Sequence, residues 1–254
     1  ANNKKRAVFG TPDKLYAHDG DLITDITPLV TAVTLANPFN TSVGSAVVTC
    51  SDGSHNQKAG NYLLINTTVS GTIGGNLFLN NNVYQITSVI NTNVFTINAS
   101  SAAAATSAAT GGSVVFSYLL PTGNSIATGG LGYGAAAFQA TVCASQTRAW
   151  NEAASADASD IVFDISQWSL DNWGDDVVAN RSGGNIYYFE SDASTVPIRA
   201  TSVTSSPVSV NSIVVSPNDR HLICLGANSY AASTPVSGTF DPMLVRWSDQ
   251  DDRT

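Results

Sequence analysis

An all-β chain follows from three observations on this sequence. Short apolar runs alternate with Gly, Pro, Asn and Asp turns along its 254 residues. No segment carries apolar residues at a period of 3.6. One strand-turn-strand plan also recurs. Its copies are Arg6-Ala-Val-Phe-Gly-Thr with Lys14-Leu-Tyr-Ala-His-Asp, Asp176-Val-Val-Ala-Asn with Asn185-Ile-Tyr-Tyr-Phe-Glu, and His221-Leu-Ile-Cys-Leu-Gly with Pro242-Met-Leu-Val-Arg-Trp-Ser-Asp. Repetition of this kind points to a radial repeat such as a β-propeller, whose blades are four-stranded sheets. The predicted fold is all-β, with β-propeller-like blades and an inserted small β-barrel or sandwich lobe.

Taken in order, residues 1–37 read as a propeller-like β segment of three short strands. Turns at Pro12-Asp13 and Gly20-Asp21 separate them, and Pro28, which has no N–H for a central ladder, ends the third. Composition shifts near Asn37-Pro38-Phe39 to Asn, Thr, Ser, Gly and Val with almost no charge. Ala46–Cys50, Tyr62–Thr67, Val83–Val89, Val94–Asn98 and Val114–Tyr118 read as five strands of a separate lobe over residues 38–120. Within it, the alanine-rich stretch Ala99–Gly112 reads as a surface loop, because interspersed Ser and Thr compete for the backbone and no apolar stripe is present. Residues 121–159 read as an irregular Gly/Ala-rich arm. Residues 160–254 return to the propeller-like pattern, with strands at Asp160–Ile165, Pro197–Val203, Val208–Val215, Arg220–Leu225 and Met243–Trp247. Too few strands lie outside residues 38–120 to close a full ring of blades, so the ring is partial or the chain is one piece of a longer one.

Bulk composition narrows the function classes. At this length roughly 70–75% of the unfolded chain's surface is buried on folding, so the core does not require disulfides. Cys50, Cys143 and Cys224 are odd in number and far apart, with no CxxC pair, and read as small apolar residues. Charged residues make up 12% of the chain and its formal net charge is −8, which argues against a surface that neutralises phosphates. Charge this sparse is the pattern of a surface covered by partners or by copies of itself. The basic start Lys4-Lys5-Arg6 leads into no apolar run of the signal-peptide type, and no 18-residue apolar run is present.

Candidate chemistry is sparse. Asp175 and Asp176 are adjacent, so in a strand they point to opposite faces and read as an acidic turn, not an acid-base pair. Asp249, Asp251 and Asp252 lack the glycine and closing glutamate of a calcium loop. His18, His55 and His221 are scattered without metal-ligand spacing, no G-x-S-x-G elbow occurs, and the glycine pairs open no helix. The expectation is therefore no catalytic residue, no metal, no cofactor and no enzyme activity. Aromatic residues stand out instead. Trp168, Trp173, Tyr187, Tyr188, Arg246 and Trp247 are the candidate packing or subunit-contact residues, with sugar stacking the alternative use of such a row.

Four stretches carry a family resemblance: Trp168-Ser-Leu-Asp-Asn-Trp-Gly-Asp-Asp-Val-Val-Ala, Gly183-Gly-Asn-Ile-Tyr-Tyr, Ser216-Pro-Asn-Asp-Arg-His-Leu-Ile-Cys-Leu-Gly and Asp241-Pro-Met-Leu-Val-Arg-Trp-Ser-Asp-Gln-Asp-Asp. Phe9-Gly-Thr, Lys14-Leu-Tyr, Asp25-Ile-Thr-Pro, Tyr84-Gln-Ile-Thr-Ser-Val and Phe95-Thr-Ile accompany them. In this order they resemble tailed-bacteriophage tail proteins of the nozzle or tail-tubular type. The resemblance implies a structural virion protein, made in the host cytoplasm and placed in the tail. It further implies a homo-oligomeric, hexameric ring that contacts adaptor and fibre proteins and lets genomic DNA pass without specific binding. Members are longer, and the family would continue past Arg246-Trp-Ser-Asp-Gln, so a fragment or a reduced version is expected. The alternative is a carbohydrate-binding β module of a tail fibre or adhesin.

Overall fold

Alternating apolar and polar residues between turn-forming pairs leave the chain few options besides antiparallel sheets, and every element among the described residues of the structure, a computed structural model, is a strand. It describes residues 6–11, 14–65, 73–121, 125–128, 160–164, 167–191, 199–229 and 238–253, with backbone alone at 125–128 and 160–164. The fold is all-β, as the sequence predicts.

Strands β1 (Ala7–Gly10), β2 (Leu15–His18) and β3 (Ile23–Asp25) form the first sheet, in that order. The chain then enters a barrel. Its strands are β4 (Leu29–Ala36), β5 (Phe39–Thr41), β6 (Val47–Ser51), β7 (Tyr62–Ile65), β8 (Asn82–Asn91), β9 (Val94–Asn98), β10 (Ser107–Thr110) and β11 (Ser113–Leu119), in the order β10-β5-β6-β9-β8-β7-β11-β4. The two ends of that order are one ribbon. β4 runs into β5 through Asn37-Pro38, β10 runs into β11 through Gly111-Gly112, and the two arms pair at Ala36 with Ser113 and at Phe39 with Thr110. Eight strands, two of them bent continuations of their neighbours, thus give six staves that close on themselves.

Glycine is required at that corner. Gly111 has φ +113°, and a Cβ there would stand 2.6 Å from the Phe39 ring. The amide of Asn37 donates to the Gly112 carbonyl at 2.7 Å, and Asn37 Oδ1 accepts from the Gly112 amide at 2.8 Å. The ribbon takes in residues 29–36, ahead of the composition shift at Asn37–Phe39, because β4 pairs with β11 over almost its whole length. Ser107–Thr110, inside the alanine-rich stretch read as loop, is strand because the corner lays it along β5. Inside the barrel Phe39, Phe95, Phe116 and Tyr118 form an aromatic chain, with centroids 5.6 Å (Phe39–Phe116), 6.1 Å (Phe95–Phe116) and 6.3 Å (Phe95–Tyr118) apart.

The chain leaves the barrel at Leu120, whose amide donates to the Pro28 carbonyl at 2.8 Å, so entry and exit lie side by side. Within residues 121–159, read as an irregular arm, β12 (Ser125–Thr128) is a strand, and it pairs with β13 (Asp160–Asp164), where the sequence predicts one; residues 129–159, with Cys143 and Trp150, lie outside the described residues. The second sheet is a meander of β14 (Trp168–Trp173), β15 (Asp176–Arg181), β16 (Ile186–Phe189) and β17 (Thr201–Ser202). The third holds β18 (Val210–Val215), β19 (Leu222–Asn228) and β20 (Phe240–Trp247).

These three sheets stack as layers, and the middle one shows why. Along β15 and β16, Val178, Ile186 and Tyr188 face the third sheet, where they meet Ile213, Val215, Leu222 and Cys224. The alternate residues Ala179, Tyr187 and Phe189 face the first, where they meet Leu15, Ala17 and Ile26. A period of two, apolar at both phases, is what a strand buried on both faces must show.

Candidate functional site

The stretch of highest chemical interest in the sequence, Trp168–Glu190, is the middle layer itself. Gly174-Asp175 turns β14 into β15, with Gly174 at φ +67°. Asp175 is exposed in that turn. Asp176 accepts from the Ser191 amide at 3.0 Å and from Arg253 Nη1 at 3.4 Å. Arg253 also pairs with Glu190 at 3.5 Å, and its guanidinium lies 4.0 Å from the Tyr188 ring centroid. The second aspartate thus holds the segment after β20 against the middle sheet.

The six candidate contact residues divide by layer. Trp168 lies against the first sheet, its indole close to Gly10, where a Cβ would fall 2.1 Å from Trp168 Cδ1. Its Nε1 is buried without a hydrogen-bond partner. Trp173 is 7% exposed in the core between second and third sheets. Tyr187 is buried towards the first sheet, and burial pushes its phenol up to about 12. Tyr188 faces the third sheet beneath Arg253. Arg246 donates to the Asn228 carbonyl at 3.1 Å, while Trp247, on the same strand, is 70% exposed. Arg246, Trp247 and Arg253 line a shallow cleft with Ser205, Ser206 and Ser248.

Several titratable groups are engaged structurally. His55 Nδ1 accepts from the Gln57 amide at 2.9 Å, its Nε2 lies 3.0 Å from the Asn91 carbonyl, and its ring stands edge-on to Phe95. His221 Nδ1 lies 2.8 Å from the Ser248 carbonyl, so that nitrogen carries the proton. Arg220 pairs with Asp251 at 2.6 Å. Among the described residues no group of three His, Cys, Asp or Glu is placed to hold a metal ion, and no helix is long and apolar enough to cross a membrane. Cys50 and Cys224 are buried free thiols. Burial raises both, Cys224 to about 11 against the opposing pull of Arg246, so neither is a reactive thiolate at neutral pH.

Two polar clusters had no strong sequence signal. In the barrel, Tyr118 donates to Asp52 Oδ2 at 2.5 Å, both groups being buried; burial first, and the Asp52 carboxylate next, raise the phenol above its usual range. Where the barrel joins the blades, Asp25 accepts from Lys14 at 3.0 Å, from Arg199 at 3.2 Å and from the Thr27 amide at 3.0 Å. Burial works to raise its pKa, yet the Thr27 hydroxyl, Arg199 and Lys14 together hold it below 3.8. Lys14 also stands 4.4 Å from the ring centroid of Tyr62 in the barrel. The partners lie 11 and 174 residues from Asp25, and such separations leave no local pattern to read.

No protein-family model matches the chain, and no curated protein matches it. Among solved structures, a phage phi92 endosialidase superposes at a TM-score of 0.31 with 14% identity, over 92% of this chain and 36% of that one. The chain thus spans about a third of that structure's length. A likeness of this degree carries no statement about activity.

Proposed function

We propose that this chain is a structural, non-enzymatic component of a bacteriophage tail, of the nozzle or tail-tubular type, assembled as a ring around the path of the genome. The observation that carries the reading is the layered repeat of antiparallel sheets with a barrel inserted between its first and second members. The four stretches that resemble the tail family fall on β14–β15, β16, β19 and β20 of those layers. A net charge of −8 supports the role physically, since a neutral or acidic wall repels phosphates and lets duplex DNA slide. The test is imaging of purified particles with a label on this chain, with its copy number measured by quantitative mass spectrometry. Several copies at the tail tip are expected; absence from the tail, or one copy per particle, sinks the reading.

A second reading, a carbohydrate-binding module, draws on Trp247, which is 70% exposed and lines a shallow cleft with Arg246, Arg253, Ser205, Ser206 and Ser248. Binding on a glycan array that disappears in Trp247→Ala without loss of folding would favour it. Trp173, buried between sheets, is not available for stacking on a sugar.

A further inference from the structure

The barrel carries almost no charge. No Asp, Glu, Lys or Arg occurs from Ala59 to Thr147, and between Leu29 and Leu119 the charged side chains are Asp52 and Lys58. Asp52 is buried beneath the Tyr118 hydroxyl, and Lys58 sits in the turn before β7. In one place the wall of this barrel splits. β8 pairs with β7 over Asn82–Gln85 and with β9 only from Ile86 onward. β9 runs on to Asn98, opposite Val47 of β6, and the Ala99 amide donates to the Ala46 carbonyl at 2.8 Å. Beyond the Ile86–Ile97 pair the two strands therefore follow different neighbours and part. The gap is a solvent-open cleft of about 460 Å³. Asn82, Tyr84 and Gln85 stand on one wall, Asn98 and Ser100 on the other, with Thr87 at the closed end, and no lining residue is charged.

We propose that this cleft binds a stretch of uncharged saccharide. Its side-chain amides and hydroxyls both donate and accept hydrogen bonds, as sugar hydroxyls do. Several are already held in place. Tyr84 and Ala99 pack against the barrel core. Tyr84 is half buried; burial raises its phenol, and a hydrogen bond with the Asn82 side chain works the other way. Thr87 Oγ1 donates to the Thr96 carbonyl at 3.1 Å. Gln85 Nε2 donates to the Gly60 carbonyl at 3.4 Å, which leaves the amide oxygen as an acceptor. The fixed tyrosine ring supplies the apolar surface that the C–H groups of a sugar need. The volume is that of a small-molecule site, about 300–1,000 Å³. No cation lines the cleft to pair with a phosphate or with the carboxylate of an acidic sugar. An apolar ligand would desolvate the amides without replacing their hydrogen bonds. An extended peptide would need pockets for its alternate side chains, and the apolar members of the lining, Val83 and Ala99, are too few and too small to provide them. The site lies on other residues than the Trp247 cleft and stands apart from both readings given above.

The full chain tests the proposal on an array of neutral oligosaccharides (glucans, mannans, galactans and N-acetylhexosamine oligomers) and of acidic ones bearing uronate or sialate groups. Retention on neutral members is expected, unchanged by raised salt. Gln85 and Asn98 are exposed, so Gln85→Ala and Asn98→Ala should keep the circular dichroism of the unaltered chain while each weakens binding about tenfold or more. Trp247→Ala should bind as the unaltered chain does. Failure to retain any neutral glycan, retention of acidic glycans alone, or full binding by both the Gln85 and the Asn98 variants overturns the proposal. Binding lost only in Trp247→Ala also overturns it and supports the second reading instead. Capture of members of a random peptide array through Gln85 and Asn98, with no neutral glycan retained, would assign the cleft to a peptide and overturn it as well.

Discussion

At the scale of single residues, the layers are held by a few close approaches. Gly10 is the tightest, because the Trp168 ring occupies the space a side chain would need. Gly10→Ala is expected to lower stability by about 1–3 kcal/mol, since a buried indole cannot swing clear of a methyl group as a surface chain does. In a Trp168→Leu background the same change should cost measurably less, and urea unfolding of the double-mutant cycle reads the coupling. Asp25 makes a second case. Its folded pKa lies below its ordinary value, so its ionised form stabilises the fold at pH values above the unfolded pKa of about 3.9. That contribution is lost as pH falls through the folded value. Asp25→Asn should therefore flatten the dependence of stability on pH in the acid range and leave its shape near neutrality unchanged; an identical acid profile in the variant would refute the assignment. The aromatic candidates show where residue-level reading stops. Trp173 and Trp247 each end a strand behind a polar neighbour, Asn172 and Arg246, yet one is buried and the other bare. The difference is set by whether a sheet lies opposite, which no local pattern records.

Elements were legible where a period of two met a turn signal. The three repeated hairpins are β1–β2, β15–β16 and β19–β20, and the five strands read in the lobe appear as β6, β7, β8, β9 and β11. What escaped were elements made by tertiary pairing. Trp168–Trp173 is not among the strands read in the sequence but is a full strand in register with β15. Ser107-Ala-Ala-Thr110 has poor intrinsic β preference and becomes strand only because the ribbon bends at Gly111-Gly112. That bend yields a prediction at the same scale. Gly111→Ala combines a left-handed φ of +113° with a Cβ 2.6 Å from Phe39, and should destabilise the barrel by about 3 kcal/mol. Hydrogen exchange should show faster opening of β4, β5, β10 and β11 and unchanged protection in the second and third sheets.

For the whole molecule, the decisive fact is that its cores are separate. The aromatic core of the barrel draws on residues between Val33 and Tyr118, while the cores between the blade layers draw on the first sheet and on residues from Leu120 onward. Among the described residues the two parts meet at the Leu120 amide on the Pro28 carbonyl and at the Lys14–Tyr62 contact. The sequence showed the insertion as a change of composition, but not that its ends are neighbours, since that depends on the barrel closing on itself. Closure makes excision feasible. Replacing residues 29–119 by a linker of about four residues bridges points already within hydrogen-bonding distance, so the added cost of closing the loop is small. The shortened chain should keep cooperative unfolding and near-ultraviolet circular dichroism from Trp168 and Trp173, and residues 28–120 expressed alone should unfold in a separate transition. Urea unfolding of the intact chain should then resolve into these two transitions, with m-values that sum to the total. One inseparable transition in the intact chain, together with an unfolded blade fragment, would show that the barrel is required for the layers and not merely attached to them.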